Sequence, residues 1–147
     1  MASSNVLGML KGIATKEVDE ATEALAKAMK QATEAKAKQD MLNEYRLDYV
    51  KNLNKILEAG MGAEAYQNFQ NFFGKLDQAI AGQQEVVELA NQQVKVQKQF
   101  WQESQRKKLS YEVLSDRTDK RVLKVEQKKD QKMMDEFAMR ITRTKHT

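Results

Sequence analysis

Catalysis needs nucleophiles, acids, bases or metal ligands at workable spacing, and this chain offers few. Its one histidine, His146, is the penultimate residue, and it has no cysteine. A zinc site or an imidazole-assisted nucleophile would need a second such group, and none exists. Gly74-Lys75 is like the end of a phosphate-binding loop, but Phe69 stands where the first glycine belongs and Leu76 where Ser or Thr must follow the lysine. Gly8 and Gly12 are spaced as a membrane-dimer motif, yet Lys11 lies inside it. Carboxylate pairs such as Asp19/Glu23 and Asp135/Glu136 read as solvated helix charges. The expectation is a non-enzymatic protein with no catalytic, cofactor-binding or metal-binding residues.

What remains is the chemistry of apolar recognition. Six of the nine Phe and Tyr residues fall within residues 39–80. Leu42, Tyr45 and Tyr49 run i, i+3, i+7, and Phe72, Leu76 and Ala79 run i, i+4, i+7, so each trio forms one stripe on a helix. A two-stranded coiled coil requires only about two apolar residues in seven. Here the apolar arc also takes in Met41, Leu47 and Val50. Such a surplus either thickens the helix pair or presents a docking face to another protein.

The elements that carry these stripes follow from composition and period. The 147 residues suit one domain, charged residues make up 31%, and there is no proline. Mean hydropathy is −0.74, and Ala, Gln, Lys and Glu dominate, which favours a few long helices. No apolar run is long enough for a transmembrane helix, and residues 1–13 lack the pattern of a secretory signal. Cytoplasmic residence is the default expectation. Alternating steps of four and three from Leu7 pass through Lys11, Ala14, Val18, Ala21, Leu25, Ala28, Ala32, Ala35, Gln39, Leu42, Arg46, Tyr49 and Leu53 to Ile56. Twelve of these fifteen are apolar, a sustained heptad seam. A second seam runs from Phe69 through Phe73, Leu76, Ile80, Gln83, Val87, Ala90, Val94 and Gln97 to Trp101. Beyond Trp101 the apolar residues Leu109, Tyr111, Leu114, Val122, Val125, Met133, Phe137 and Ile141 are read as leaving that phase, which suggests a stutter.

Gly60 and Gly62 separate the seams, and glycine past the last periodic residue is a helix stop. The expected fold is all-α, a long antiparallel two-helix coiled coil, or helical hairpin, whose second helix is longer than the first. Expected bounds are helix 4–58, turn 59–64 and helix 65–140 in a single domain, with Asn68 the best cap for the second helix. A turn centred near Met61 places Tyr49 opposite Phe73 and Leu42 opposite Ile80. Residues 117–147 then overhang without a partner, and a lone helix there is expected to fray. They carry ten Lys/Arg and five Asp/Glu, net +5, against 15 and 16, net −1, for the rest of the chain. The overhang reads as a solvated tail, a docking rod, or an arm for nucleic acid or a membrane.

The ordered set Lys16-Glu17-Val18-Asp19, Met41-Leu42 with Tyr45 and Tyr49, Asn52-Leu53-Asn54, the run 66–80, Trp101, and Leu114 with Asp116-Arg117 resembles the FliJ family. So do Asp130-Gln131-Lys132 and Met134-Asp135-Glu136-Phe137-Ala138 with Arg140. The family comprises cytoplasmic components of the bacterial flagellar type III export apparatus. The resemblance implies an antiparallel coiled coil similar to the central stalk of rotary ATP synthases. It also implies three partners: a hexameric export ATPase, the cytoplasmic domain of the membrane export-gate protein, and export chaperones that the stalk escorts. Peripheral association with the inner membrane at the flagellar base is implied as well. By resemblance, the gate-binding face is Leu42, Tyr45, Tyr49, Phe72, Leu76 and Ala79. Its edges are Lys38 and Gln83, where the family has Gln and His. The ATPase-binding set is Asp130, Gln131, Lys132, Asp135, Glu136, Phe137 and Arg140. No small-molecule ligand and no specific nucleic acid are implied. The rivals are a self-associating coiled-coil scaffold and a basic helical hairpin that binds nucleic acid.

Overall fold

The computed structural model describes the backbone of residues 2–146 and the side chains of residues 5–145. Two α-helices pack against each other: α1 (Ala2–Ala59) and the longer α2 (Ala63–His146), with no strand among the described residues. The all-α two-helix architecture is the one the heptads require. Contacts divide the chain into two units, each built from both helices: Glu20–Gln102, and Met1–Asp19 with Glu103–Thr147.

In the unit Glu20–Gln102 the heptad seams are the packed surface. Ala28, Ala35, Phe73, Leu76, Gln83 and Val87 are buried, and the remaining seam residues are half-buried apart from Arg46 and Ile56, which are exposed. Tyr49 meets Phe73 edge-on, ring centroids 6.3 Å apart, in the expected antiparallel register. Alanine at alternate seam positions lets the backbones approach, and the apolar area each turn removes from water is correspondingly small. Polar seam residues have local reasons. The Gln83 amide, 8% exposed, donates from Nε2 to the Ala35 carbonyl at 2.9 Å. Arg46 lays its guanidinium 5.9 Å from the Phe73 ring centroid and donates from Nε to Asp77 at 2.7 Å. The Trp101 indole donates to the Thr22 hydroxyl at 3.1 Å.

The turn is shorter than residues 59–64. Gly60 adopts φ 96°, a left-handed value that favours glycine, and its N–H reaches the Leu57 carbonyl at 3.2 Å to close the last turn of α1. The Gly62 carbonyl accepts from the Tyr66 N–H at 3.0 Å, so α2 begins at Ala63 and not near Asn68. Sequence reasoning sought a side-chain cap, but glycine also serves at that position by leaving the first amides open to water.

In the unit Met1–Asp19 with Glu103–Thr147, Ala14 and Val18 are buried. Lys107 Nζ lies 3.4 Å from Glu17 Oε2. The expected stutter is absent. Half-burial recurs at Ser104, Lys108, Tyr111, Ser115 and Thr118, which continues the three-four alternation in phase. The seam does not shift; it turns polar, so an apolar-only count loses it. Leu109 and Leu114 lie off it and are exposed. From 119 to 145 every side chain is exposed, and α2 stays helical to His146, through the segment expected to fray.

Candidate functional site

The proposed gate-binding residues lie within the unit Glu20–Gln102, and heptad position decides what each can offer. Phe73 and Leu76 sit on the α2 seam and are 9% and 8% exposed, so they form a floor. Leu42 and Tyr49 sit on the α1 seam close to the turn and are half-buried. Phe72 and Ala79 each precede a seam residue by one place, which turns them to its margin, and both are exposed. Tyr45 occupies the corresponding margin of α1 at 52% exposed. Tyr49 and Phe72 join the layers, with ring centroids 4.5 Å apart and planes tilted by 37°. Such a ring pair contributes on the order of 1 kcal/mol beyond its area and holds both rings in place. The result is a ledge: a packed apolar floor with Tyr45, Phe72 and Ala79 along its open edge.

Two of the expected contact residues are placed differently from the rest. Leu76 is core, with almost no surface to present. Gln83 is buried and committed to the Ala35 carbonyl, whereas Lys38 is exposed. Spacing put Leu76 on the stripe and the family resemblance put Gln83 at its edge, but neither says which half of a wide arc turns inward.

Beside the ledge, the Arg46–Asp77 pair fixes the rim. The hydrogen bond that Arg46 donates to Asp77, and then the Asp77 charge, raise the Arg46 pKa above its ordinary, already strongly alkaline value; desolvation opposes them. A raised value means that the pair's contribution is present at every pH below arginine's ordinary value and is lost only as pH rises through the folded one. Both side chains are about half exposed, so salt screens the pair.

An apolar row on α2 was missed by sequence reasoning. Val86, Leu89, Val96 and Phe100 are 49%, 67%, 37% and 57% exposed. Phe72, Ala79, Val86 and Phe100 are separated by multiples of seven residues. That sevenfold recurrence, one place ahead of the seam, is the signal that could have found it.

The second set, Asp130, Gln131, Lys132, Asp135, Glu136, Phe137 and Arg140, lies on the unaccompanied part of α2, and all seven are exposed. Met133, Met134, Phe137 and Ile141 form an apolar strip there, flanked by Glu136 and Arg140. Flexible methionines with one aromatic suit adaptable protein contact. Among the described residues no group of His, Asp or Glu could hold a metal ion, and no helix is long and apolar enough to cross a membrane.

Comparison with known proteins matches nearly the whole length of the chain. The family model described as "Flagellar FliJ protein" matches residues 3–147. The flagellar FliJ protein of Escherichia coli (strain K12) is 31% identical over 140 residues, which covers 95% of each chain. That of Salmonella typhi is 32% identical over 140 residues, again 95% of each. Both the ledge and the unaccompanied end of α2 fall inside the matched length, and the chain belongs to the flagellar FliJ protein family.

Proposed function

We propose that this chain is a non-enzymatic component of flagellar protein export, a stalk that binds two machines through separate surfaces. The ledge of Tyr45, Tyr49 and Phe72 docks the cytoplasmic domain of the membrane export-gate protein. The unaccompanied end of α2, through Phe137 and Arg140 with the residues around them, engages the hexameric export ATPase. Export chaperones are escorted by the same stalk. One chain holding both partners couples nucleotide-driven changes in the hexamer to the gate without bond chemistry of its own.

The observation that carries this reading is the ledge. Tyr45 and Phe72 remain 52% and 40% exposed beside a floor that is already packed, in a chain that matches the FliJ family over residues 3–147. Large apolar rings kept at a seam margin suit a partner's pocket. Among the described residues the Tyr45 and Tyr49 hydroxyls have no hydrogen-bond partner, which leaves them available to an external one.

The test is capture of the purified gate domain and the purified ATPase by full-length protein. Tyr45→Ala with Phe72→Ala should weaken gate capture at least about tenfold, with helicity and ATPase capture unchanged. Phe137→Ala with Arg140→Ala should do the reverse. Leu76 is left intact because it is core. Undiminished gate capture by the first variant would sink the proposal. If the protein instead sediments as a dimer at micromolar concentration and Phe72→Ala makes it a monomer, the ledge is a self-association face.

A further inference from the structure

The unaccompanied part of α2 has a second feature, which begins before the residues just proposed to meet the ATPase and overlaps them at Lys132. At 100° per residue, Arg117, Lys120, Arg121, Lys124, Lys128 and Lys132 fall within roughly a third of the helix circumference, with Lys129 about 60° beyond its edge. The acids of the same stretch, Asp119, Glu126 and Asp130, fall on the opposite side. These six cations and three acids are all exposed, and none of the six cations forms an ion pair among the described residues. Arg117, Arg121, Lys124 and Lys128 have no acid three or four places away, the separations that make helix ion pairs; Lys120 has Asp116 and Lys132 has Asp135 and Glu136 at such spacing, yet neither is paired. A merely solvated helix has no need of this segregation. Here the lysines are kept free for something external along about 22 Å of axis.

We propose that this basic face lies flat on an anionic lipid surface. Four of the six cations are lysine. Lysine is depleted in protein interfaces, where the forked guanidinium of arginine is preferred, and serves well as a point charge against a diffuse field. A flat surface meets only one side of a helix. The acids on the far side stay about 10 Å away, beyond the screening length of roughly 8 Å at physiological salt. A nucleic-acid groove would surround the helix and bring those acids toward phosphates, and no aromatic between Tyr111 and Phe137 offers a stacking platform. The opposite face is acidic, so the helix rests on headgroups without inserting, and its binding is electrostatic and salt-sensitive.

The experiment is flotation of the full-length protein with vesicles of pure phosphatidylcholine or with about a third phosphatidylglycerol, at about 0.1 M salt. Flotation is expected only with the anionic vesicles and should fade as salt rises. Each Lys near such a surface contributes about tenfold or less, so Lys120→Gln with Lys124→Gln and Lys128→Gln should lower partitioning by roughly a hundredfold. Gln keeps the helix propensity of Lys, and circular dichroism of the variant checks its fold. Asp119→Asn with Glu126→Gln should leave binding unchanged or tighter. Equal flotation with both vesicle types, none with either, or an undiminished triple variant overturns the proposal. So does displacement from anionic vesicles by a short DNA duplex at matched charge, which would make the face a nucleic-acid surface. ATPase and gate capture read the earlier proposal separately, so failure of one does not imply failure of the other.

Discussion

At the scale of single residues, neighbours in sequence have opposite fates. Phe72 is on the open edge and Phe73 is in the core, 40% and 9% exposed. Leu76→Ala should cost about 2–4 kcal/mol in a urea titration because it leaves a void in the seam, whereas Phe72→Ala should cost about 1 kcal/mol. If the two costs were equal, the distinction between floor and edge would fail. Gln83 is a different case. Its amide is satisfied, so Gln83→Ala removes one neutral hydrogen bond and part of a seam side chain. Gln83→Leu replaces a buried polar group by an apolar one of similar size and should be neutral or stabilising by up to about 1 kcal/mol. What the leucine removes is discrimination between registers, since a polar seam residue penalises misalignment. Amide NMR spectra of Gln83→Leu should show doubled resonances in the seam where the wild type shows single ones. The aromatic stripes were legible in the sequence because residue type and spacing both point to them. Which ring of the Phe72–Phe73 pair faces out was not, since adjacent residues on a helix differ by 100° and a wide arc admits either.

At the scale of the helices, the seams were legible almost residue by residue. Heptads report burial directly when the seam is apolar. The reading failed past Trp101 because Ser104, Lys108, Ser115 and Thr118 occupy seam positions without the apolar side chains that advertise them. The start of α2 was missed for a related reason, since the capping residue there is Gly62, which has no side chain to recognise. The glycines divide into two kinds. Gly60 holds φ 96°, where a Cβ is strained, so Gly60→Ala should destabilise by about 1 kcal/mol. Gly74 and Gly82 lie inside α2, and a Cβ at either would meet nothing within 4 Å. Gly74→Ala and Gly82→Ala should each stabilise by up to about 1 kcal/mol through helix propensity alone. Thermal melts of the three variants check both signs. A destabilising Gly82→Ala would mean that something close to the backbone had been overlooked.

At the scale of the whole molecule, charge and apolar surface are allotted to different stretches. Residues 117–147 carry net +5 and the rest net −1, while the aromatic ledge lies near the turn. Sequence arithmetic was enough to see this division, because net charge needs no coordinates. It could not show that most cations of 117–132 fall opposite Asp119, Glu126 and Asp130, which emerges only once that stretch is an unbroken helix. Membership of the FliJ family was legible too, since the ordered set of motifs spans most of the matched residues 3–147. The Gln83–Ala35 hydrogen bond has a mechanical meaning for the unit Glu20–Gln102. Sliding one helix past the other by a heptad, about 10 Å, would strand that amide in the seam and also part Arg46 from Asp77. Load applied along one helix is therefore passed to the other like torque through a keyed shaft, and the pair moves as one piece without slipping.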